Sequence, residues 1–208
     1  MENGEKVALG AFVLVGLGVG VYFLTQHPKD KSGNPIVPLG EGDAETDGDG
    51  TRDEYNTYSQ YILTKWESDY TQNAFEESKF AVCKEWYPQE DIKNMTLSRA
   101  QDIVYRDYWL KYNIHKLPLG LRMIVLDACI NQGQPTGIRM LQRVGGVSVD
   151  GVNGAKTQAA ADNVTIYSYC EERKKQYHSS ASKKGRAQSL QGWLNRLEDV
   201  QKKAISLI

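Results

Sequence analysis

The sequence is poor in the residues from which metal centres and covalent frameworks are made. It has three cysteines (Cys83, Cys129 and Cys170) and three histidines (His27, His115 and His178), dispersed over 208 residues. That supply is too small and too scattered for a zinc site, a disulfide framework or a histidine-based nucleophilic triad, so no metal and no cofactor is expected and at most one bridge could form. Cys129 lies in the apolar run 123–130 and is expected to be a buried small hydrophobe. The chain also lacks any segment that alternates convincingly at period two, which argues against a substantial sheet. There is no helix-turn-helix pattern, zinc-ligand spacing or RNP-like aromatic motif, which excludes nucleic acid as the expected partner. Long hydrophobic runs are missing too, with one exception.

That exception is residues 7–24, 18 positions without a charge, about the minimum for a helix to span the hydrocarbon core. Gly10, Gly16, Gly18 and Gly20, with Ala8 and Ala11, make it weakly hydrophobic for its length, and Gly16 and Gly20 have the small-xxx-small spacing of packed membrane helices. Glu2 and Glu5 precede it and no small-residue cleavage site follows, so residues 1–27 are read as one retained transmembrane anchor rather than a cleaved signal. Lys29 and Lys31 outnumber Lys6 across the span, a weak vote for a cytoplasmic head.

The formal charge of −1 hides a polarised chain. Between positions 41 and 54 seven acids interleave with glycines against the single base Arg52, and no large apolar residue is present. Such a stretch cannot bury enough surface to order itself, so residues 28–54 are read as a flexible acidic linker, the last fourteen reaching about 20 Å. From Tyr55 onward there are 21 basic and 16 acidic residues, a charge of +5, which favours an anionic polymer as partner through steering. Residues 55–208 are long enough for one domain with a real core.

This domain reads as helical almost throughout. Tyr58, Ile62, Leu63, Trp66 and Tyr70 recur at three-to-four spacing and predict a helix with an aromatic face ending near Gln72. Thr96 caps a helix over about 97–112; Pro118 and Gly120 break the chain; an apolar helix follows over about 121–132. Pro135 opens another, with Ile138, Met140, Leu141 and Val144 inward, and Gly145 and Gly146 stop it. Asp150, Gly151 and Gly154 predict a tight turn that also caps the next helix near Ala155. Helices are expected over about 155–162, 165–177 and 187–205. The fold class is all-α, with at most a small hairpin around 147–152.

Several stretches, taken in order, carry a family resemblance: Leu97-Ser98-Arg99-Ala100, Tyr105-Arg106-Asp107-Tyr108-Trp109, Leu117-Pro118, Asp127-Ala128-Cys129-Ile130-Asn131-Gln132-Gly133, Leu141-Gln142, Asp150-Gly151-Val152-Asn153-Gly154 with Thr157, and Gly192-Trp193-Leu194-Asn195-Arg196. Over about residues 58–197 the chain resembles the phage and bacterial N-acetylmuramidases of glycoside hydrolase family 108. The resemblance implies a lysozyme-like helical domain, residues 134–164 or so being similar to the peptidoglycan-binding module that accompanies the catalytic part. It also implies that Glu67, at the position of the family's Glu-Gly-Gly-Tyr motif, is the catalytic acid. A carboxyl beside an apolar wall suits that task at neutral pH, and Trp66, Leu63 and Tyr70 supply walls.

The second carboxylate is open: Asp69 is rotated away on a regular helix, and Glu76 and Glu77 come in the next loop. Asp127 and Asn131 share a helical face at i, i+4, either tying helices together or lining a cleft. Tyr108, Trp109 and Trp86 are aromatic enough to stack on sugars, Trp109 being expected in the core. Trp66, Tyr70, Tyr108, Asp127 and Asn131 are therefore the candidate substrate-binding residues. One departure is plain: where the family has a glycine-rich segment, this chain has residues 71–80 with both glycines after Glu67 replaced.

Two functions are compatible with these features. One is a membrane-anchored muramidase of phage origin acting on peptidoglycan in lysis or wall penetration. It would sit in the host inner membrane or a viral membrane with its head facing the wall, against the weak charge vote. The other is a non-catalytic peptidoglycan-binding or structural membrane protein that keeps the fold.

Overall fold

The structure is a computed structural model that describes residues 51–73, 76–183 and 186–208. The expected anchor and the linker as far as residue 50 lie outside the described residues. Among the described residues no helix is long and apolar enough to cross a membrane.

Helix α1 (Thr51–Trp66) begins inside the stretch that charge counting assigns to the linker. Long-range pairs account for this: Arg52 pairs with Asp102, and Glu54 pairs with Arg122 while accepting the Tyr58 hydroxyl. Residues 51–54, which the charge reading assigns to the linker, are thus part of this helix. The helix buries Tyr55, Tyr58, Ile62 and Leu63 and stops at Trp66, not near Gln72.

Beyond α1 the chain forms a three-stranded antiparallel sheet, β1 (Thr71–Gln72), β2 (Glu77–Lys79) and β3 (Val82–Cys83), with Thr71 opposite Ser78 and Ser78 opposite Cys83. The all-α expectation is corrected here, and residues 147–152 form no strand. Strands of two or three residues are too short to display a period. The β2–β3 loop is the pair Phe80 (φ 50°) and Ala81 (φ 65°), the positive dihedrals a two-residue hairpin of matching twist requires. Neither residue is a glycine, so the turn is strained.

Helix α2 (Leu97–Val104) starts as expected, with Thr96 Oγ1 accepting the Arg99 N–H at 3.2 Å, and continues as a π-helical segment over Tyr105–Leu110. Helix α3 (Leu119–Gln132) is buried along almost its whole length and packs against α1, against α4 (Gln134–Gly145), and against α6 (Ile166–Ala181) and α7 (Leu190–Ile205). At the α3–α4 contact a Cβ on Gly137 would lie 2.5 Å from Cys129 Sγ, so only glycine permits the approach. Cys129 and Trp109 are fully buried, Trp109 between Tyr55 and Tyr58 at ring distances of 5.5 and 6.0 Å.

Gln142 organises the turn before α5 (Ala155–Ala161). Its amide nitrogen donates to Asp150 Oδ1 (2.6 Å), the Val152 carbonyl (3.0 Å) and Thr157 Oγ1 (3.1 Å), and its oxygen accepts the Gly151 N–H (2.8 Å). Asp150 thus shapes the turn, and the helix cap itself is Gly154, without a side-chain bond.

Candidate active site

Glu67 is the first residue after α1, where the chain leaves the helix for the sheet. Its carbonyl accepts the Phe80 N–H at 2.6 Å, which fastens the strained hairpin loop to the base of the site. Its side chain is 5 % exposed, and Oε1 accepts from Arg196 Nη1 at 2.5 Å. Arg196, on α7, donates Nε and Nη2 to Asp127 Oδ1 at 3.0 and 2.7 Å. Asp127 Oδ2 in turn accepts from Arg173 Nη1 at 2.9 Å. Arg173 donates Nε to Gln132 (2.9 Å) and Nη2 to the Tyr177 hydroxyl (2.8 Å), which donates to Asn131 Oδ1 at 2.6 Å. The result is one continuous chain of side chains from Glu67 to Asn131.

Both guanidiniums and Asp127 are 0 % exposed. Burial alone would raise the Asp127 carboxyl, but Arg196 and Arg173 outweigh it and hold the group below the ordinary aspartate value. Buried ions of this kind persist only when each is paired and hydrogen-bonded, which this network achieves.

Of the residues singled out as substrate-binding, Asp127 and Asn131 lie behind Glu67 in this network, with no surface to offer a sugar. Their i, i+4 spacing does bring them to one face, but that face meets α6 and α7. Trp66 turns toward α7: its indole N–H donates to Asp199 at 3.0 Å, and Arg196 lies 5.9 Å from its ring centre. Tyr70 donates to Glu77 at 3.1 Å on the sheet. Tyr108, from the π-helical segment, is within electrostatic range of Glu67. Burial first, then the charges of Asp107, Tyr112, Cys129 and Glu67, push its hydroxyl well above the ordinary tyrosine value. Trp86 is half-buried and packs on the core.

The structure adds two residues that sequence reasoning did not select. Glu76, just before β2, comes close enough to Glu67 to feel its charge. Burial, followed by repulsion from Glu67 and Glu85, raises its carboxyl, while the Ser78 hydroxyl, donating to Oε1 at 2.7 Å, opposes the shift. The signal available in the sequence was only that a carboxylate recurs after Glu67 within hairpin reach. Arg196 carried no chemical signal beyond its place in a motif.

Among the described residues no group of three or more His, Cys, Asp or Glu could hold a metal ion, and all three cysteines are free and buried. What remains is a buried carboxyl, Glu67, at the junction of a helix and a small sheet, held by a buried cation, with Glu76 and Tyr108 within electrostatic range.

The family model described as Glycosyl hydrolase 108 matches residues 23–133. A second, described as Predicted Peptidoglycan domain, matches residues 136–198. Among solved structures, "Structure of Brucella abortus SagA" is 24 % identical over 74 % of this chain and 95 % of that one, with a TM-score of 0.64, and so has the same fold. No curated protein matches the chain.

Proposed function

The chain belongs to the glycosyl hydrolase 108 family, and from that premise we propose that it cleaves the bond between muramic acid and glucosamine in peptidoglycan. Glu67 protonates the leaving glycosidic oxygen, and Glu76 across the site supplies the second carboxyl of the pair such a reaction needs. The observation that carries this reading is the place of Glu67 at the end of α1, its buried carboxyl held by Arg196, with Glu76 and Tyr108 within electrostatic range. The assignment of Glu67 as the acid rests on its place in the family motif; surroundings alone, a buried cation at Glu67 against burial and like charge at Glu76, favour Glu76 as the protonated partner. Tyr70 and Tyr108 are the side chains retained as sugar contacts, Trp66 acting through α7 instead. The match of residues 136–198 to a peptidoglycan domain supports the same polymer as ligand. In this reading residues 7–24 hold the protein in a membrane, with the head outside facing the wall, and the protein serves a phage in lysis or wall penetration.

A second reading, binding without cleavage, is favoured by one observation: Arg196 engages the Glu67 carboxylate directly, so one oxygen of the group assigned to give up the proton is already committed to a buried donor. Hydrolysis of purified sacculi by the full-length protein separates the two. Under the enzymatic reading the wild type releases reducing sugar, and Glu67→Gln lowers the rate about 10²-fold or more while sacculus binding is kept. A folded wild type that binds sacculi but releases no reducing sugar, or a Glu67→Gln variant as fast as wild type, leaves the binding reading standing.

A further inference from the structure

The buried network crosses from one matched segment to the other. Glu67 and Asp127 lie within residues 23–133, while Arg173 and Arg196, which hold them, lie within residues 136–198. A segment whose matched description concerns peptidoglycan thereby supplies both cations behind the carboxyl assigned to the chemistry. We propose that Arg196 is a positioning residue for Glu67, and that the second segment is for this reason an integral part of the active site. The inference rests on the reading of Glu67 as the catalytic acid.

The geometry leaves the Arg196 guanidinium no freedom. Two of its nitrogens are spent on one oxygen of Asp127, the third on Oε1 of Glu67, and the Trp66 ring lies 5.9 Å away. Asp127 cannot turn to release it, because its other oxygen is held by Arg173, which is itself fixed by Gln132 and Tyr177. A planar fork locked at two of its nitrogens dictates where the third points. Glu67 has left the helix by this point and lies on a connecting segment, so the aim of its carboxyl is set by Arg196 and not by helix geometry. Asp127 also offsets much of the charge that Arg196 would otherwise impose on Glu67.

Arg196→Lys keeps the charge but offers a single nitrogen to two carboxylates, and Arg196→Met fills the volume without charge. In Arg196→Lys, kcat on sacculi falls about 10- to 100-fold with KM nearly unchanged, as expected when an acid is misplaced by a fraction of an ångström to an ångström. The same substitution in a Glu67→Gln background causes no further loss. A crystal structure of Arg196→Lys gives a readout independent of turnover: the Glu67 carboxyl is displaced by a fraction of an ångström to about an ångström while α1 and the sheet stay in place. Arg196→Met, where it folds, shows a larger displacement. An undisplaced carboxyl in a folded variant overturns the inference, as does an Arg196→Lys enzyme with wild-type kcat. A wild type that fails to hydrolyse sacculi removes the hydrolase reading instead, and the displacement still decides whether Arg196 positions Glu67.

Discussion

Glu76 is where residue-scale physics connects stability with activity. Its carboxyl is raised above the ordinary value of 4.5 by burial and by the charges of Glu67 and Glu85. A carboxyl whose folded pKa exceeds its unfolded one favours the fold while protonated, so this contribution is present below about pH 4.5 and is lost as pH rises through the folded value. At neutral pH the ionised Glu76 therefore costs stability. Glu76→Gln keeps an acceptor for the Ser78 hydroxyl and removes the charge. Its thermal midpoint at pH 7 should exceed that of wild type, with the difference closing below pH 4.5. The gain is small because the side chain keeps solvent contact. Sacculus hydrolysis should fall by about tenfold or more in the same variant. A Glu76→Gln protein as active as wild type, or less stable at pH 7, would exclude Glu76 from this role. Strain or unfavourable charge retained at a working site, and relieved on mutation with loss of activity, is the expected trade-off.

At the scale of elements, the β2–β3 hairpin is the place where the chain departs from easy backbone geometry. Phe80 and Ala81 both adopt positive φ, and the Phe80 N–H bonds to the Glu67 carbonyl. For a residue with a Cβ, the left-handed region costs on the order of 1–2 kcal/mol. Ala81→Gly should therefore raise stability by about 1 kcal/mol, part of the relief being offset by the entropy glycine loses on folding. Thermal melts of wild type and variant check this, and a lower midpoint for Ala81→Gly would show that the turn is not strained. The same element shows the limit of pattern reading. The three-to-four spacing of Tyr58, Ile62, Leu63 and Trp66 located α1, but Tyr70, in phase with it, belongs to the turn into the sheet. The termination is tertiary: past Trp66 the backbone gives up helical bonds and pairs with Phe80 instead. Where signals are local the reading succeeded, as with the Thr96 cap, Pro135 in the first turn of α4, and Gly146 at φ 67° closing it.

For the molecule as a whole, α1 is an axis with chemistry at one end and the incoming chain at the other. Its 16 residues span about 24 Å at 1.5 Å each, which separates Thr51 from Glu67. The proposed location, an anchor at residues 7–24 with the head outside facing the wall, is tested by accessibility. Protease added to spheroplasts should then remove the head and leave the anchor; a protected head would overturn both the lytic role and that orientation. The placement of Arg173 and Arg196 makes the two matched segments one working unit at this scale.

The sequence by itself determined where most of the helices lie, though not the ends of α1, because a helix is encoded by residues three and four apart and by caps at its ends. It also determined the order of motifs by which the family is recognised, and Glu67 among them. Tertiary structure alone decided what Glu67 meets. The bonds Arg173–Asp127, Arg196–Asp127 and Arg196–Glu67 join residues 46, 69 and 129 positions apart. No periodicity relates such positions, so the network that holds Glu67 and the inclusion of residues 51–54 in α1 became legible only once α3, α6 and α7 were packed around one another.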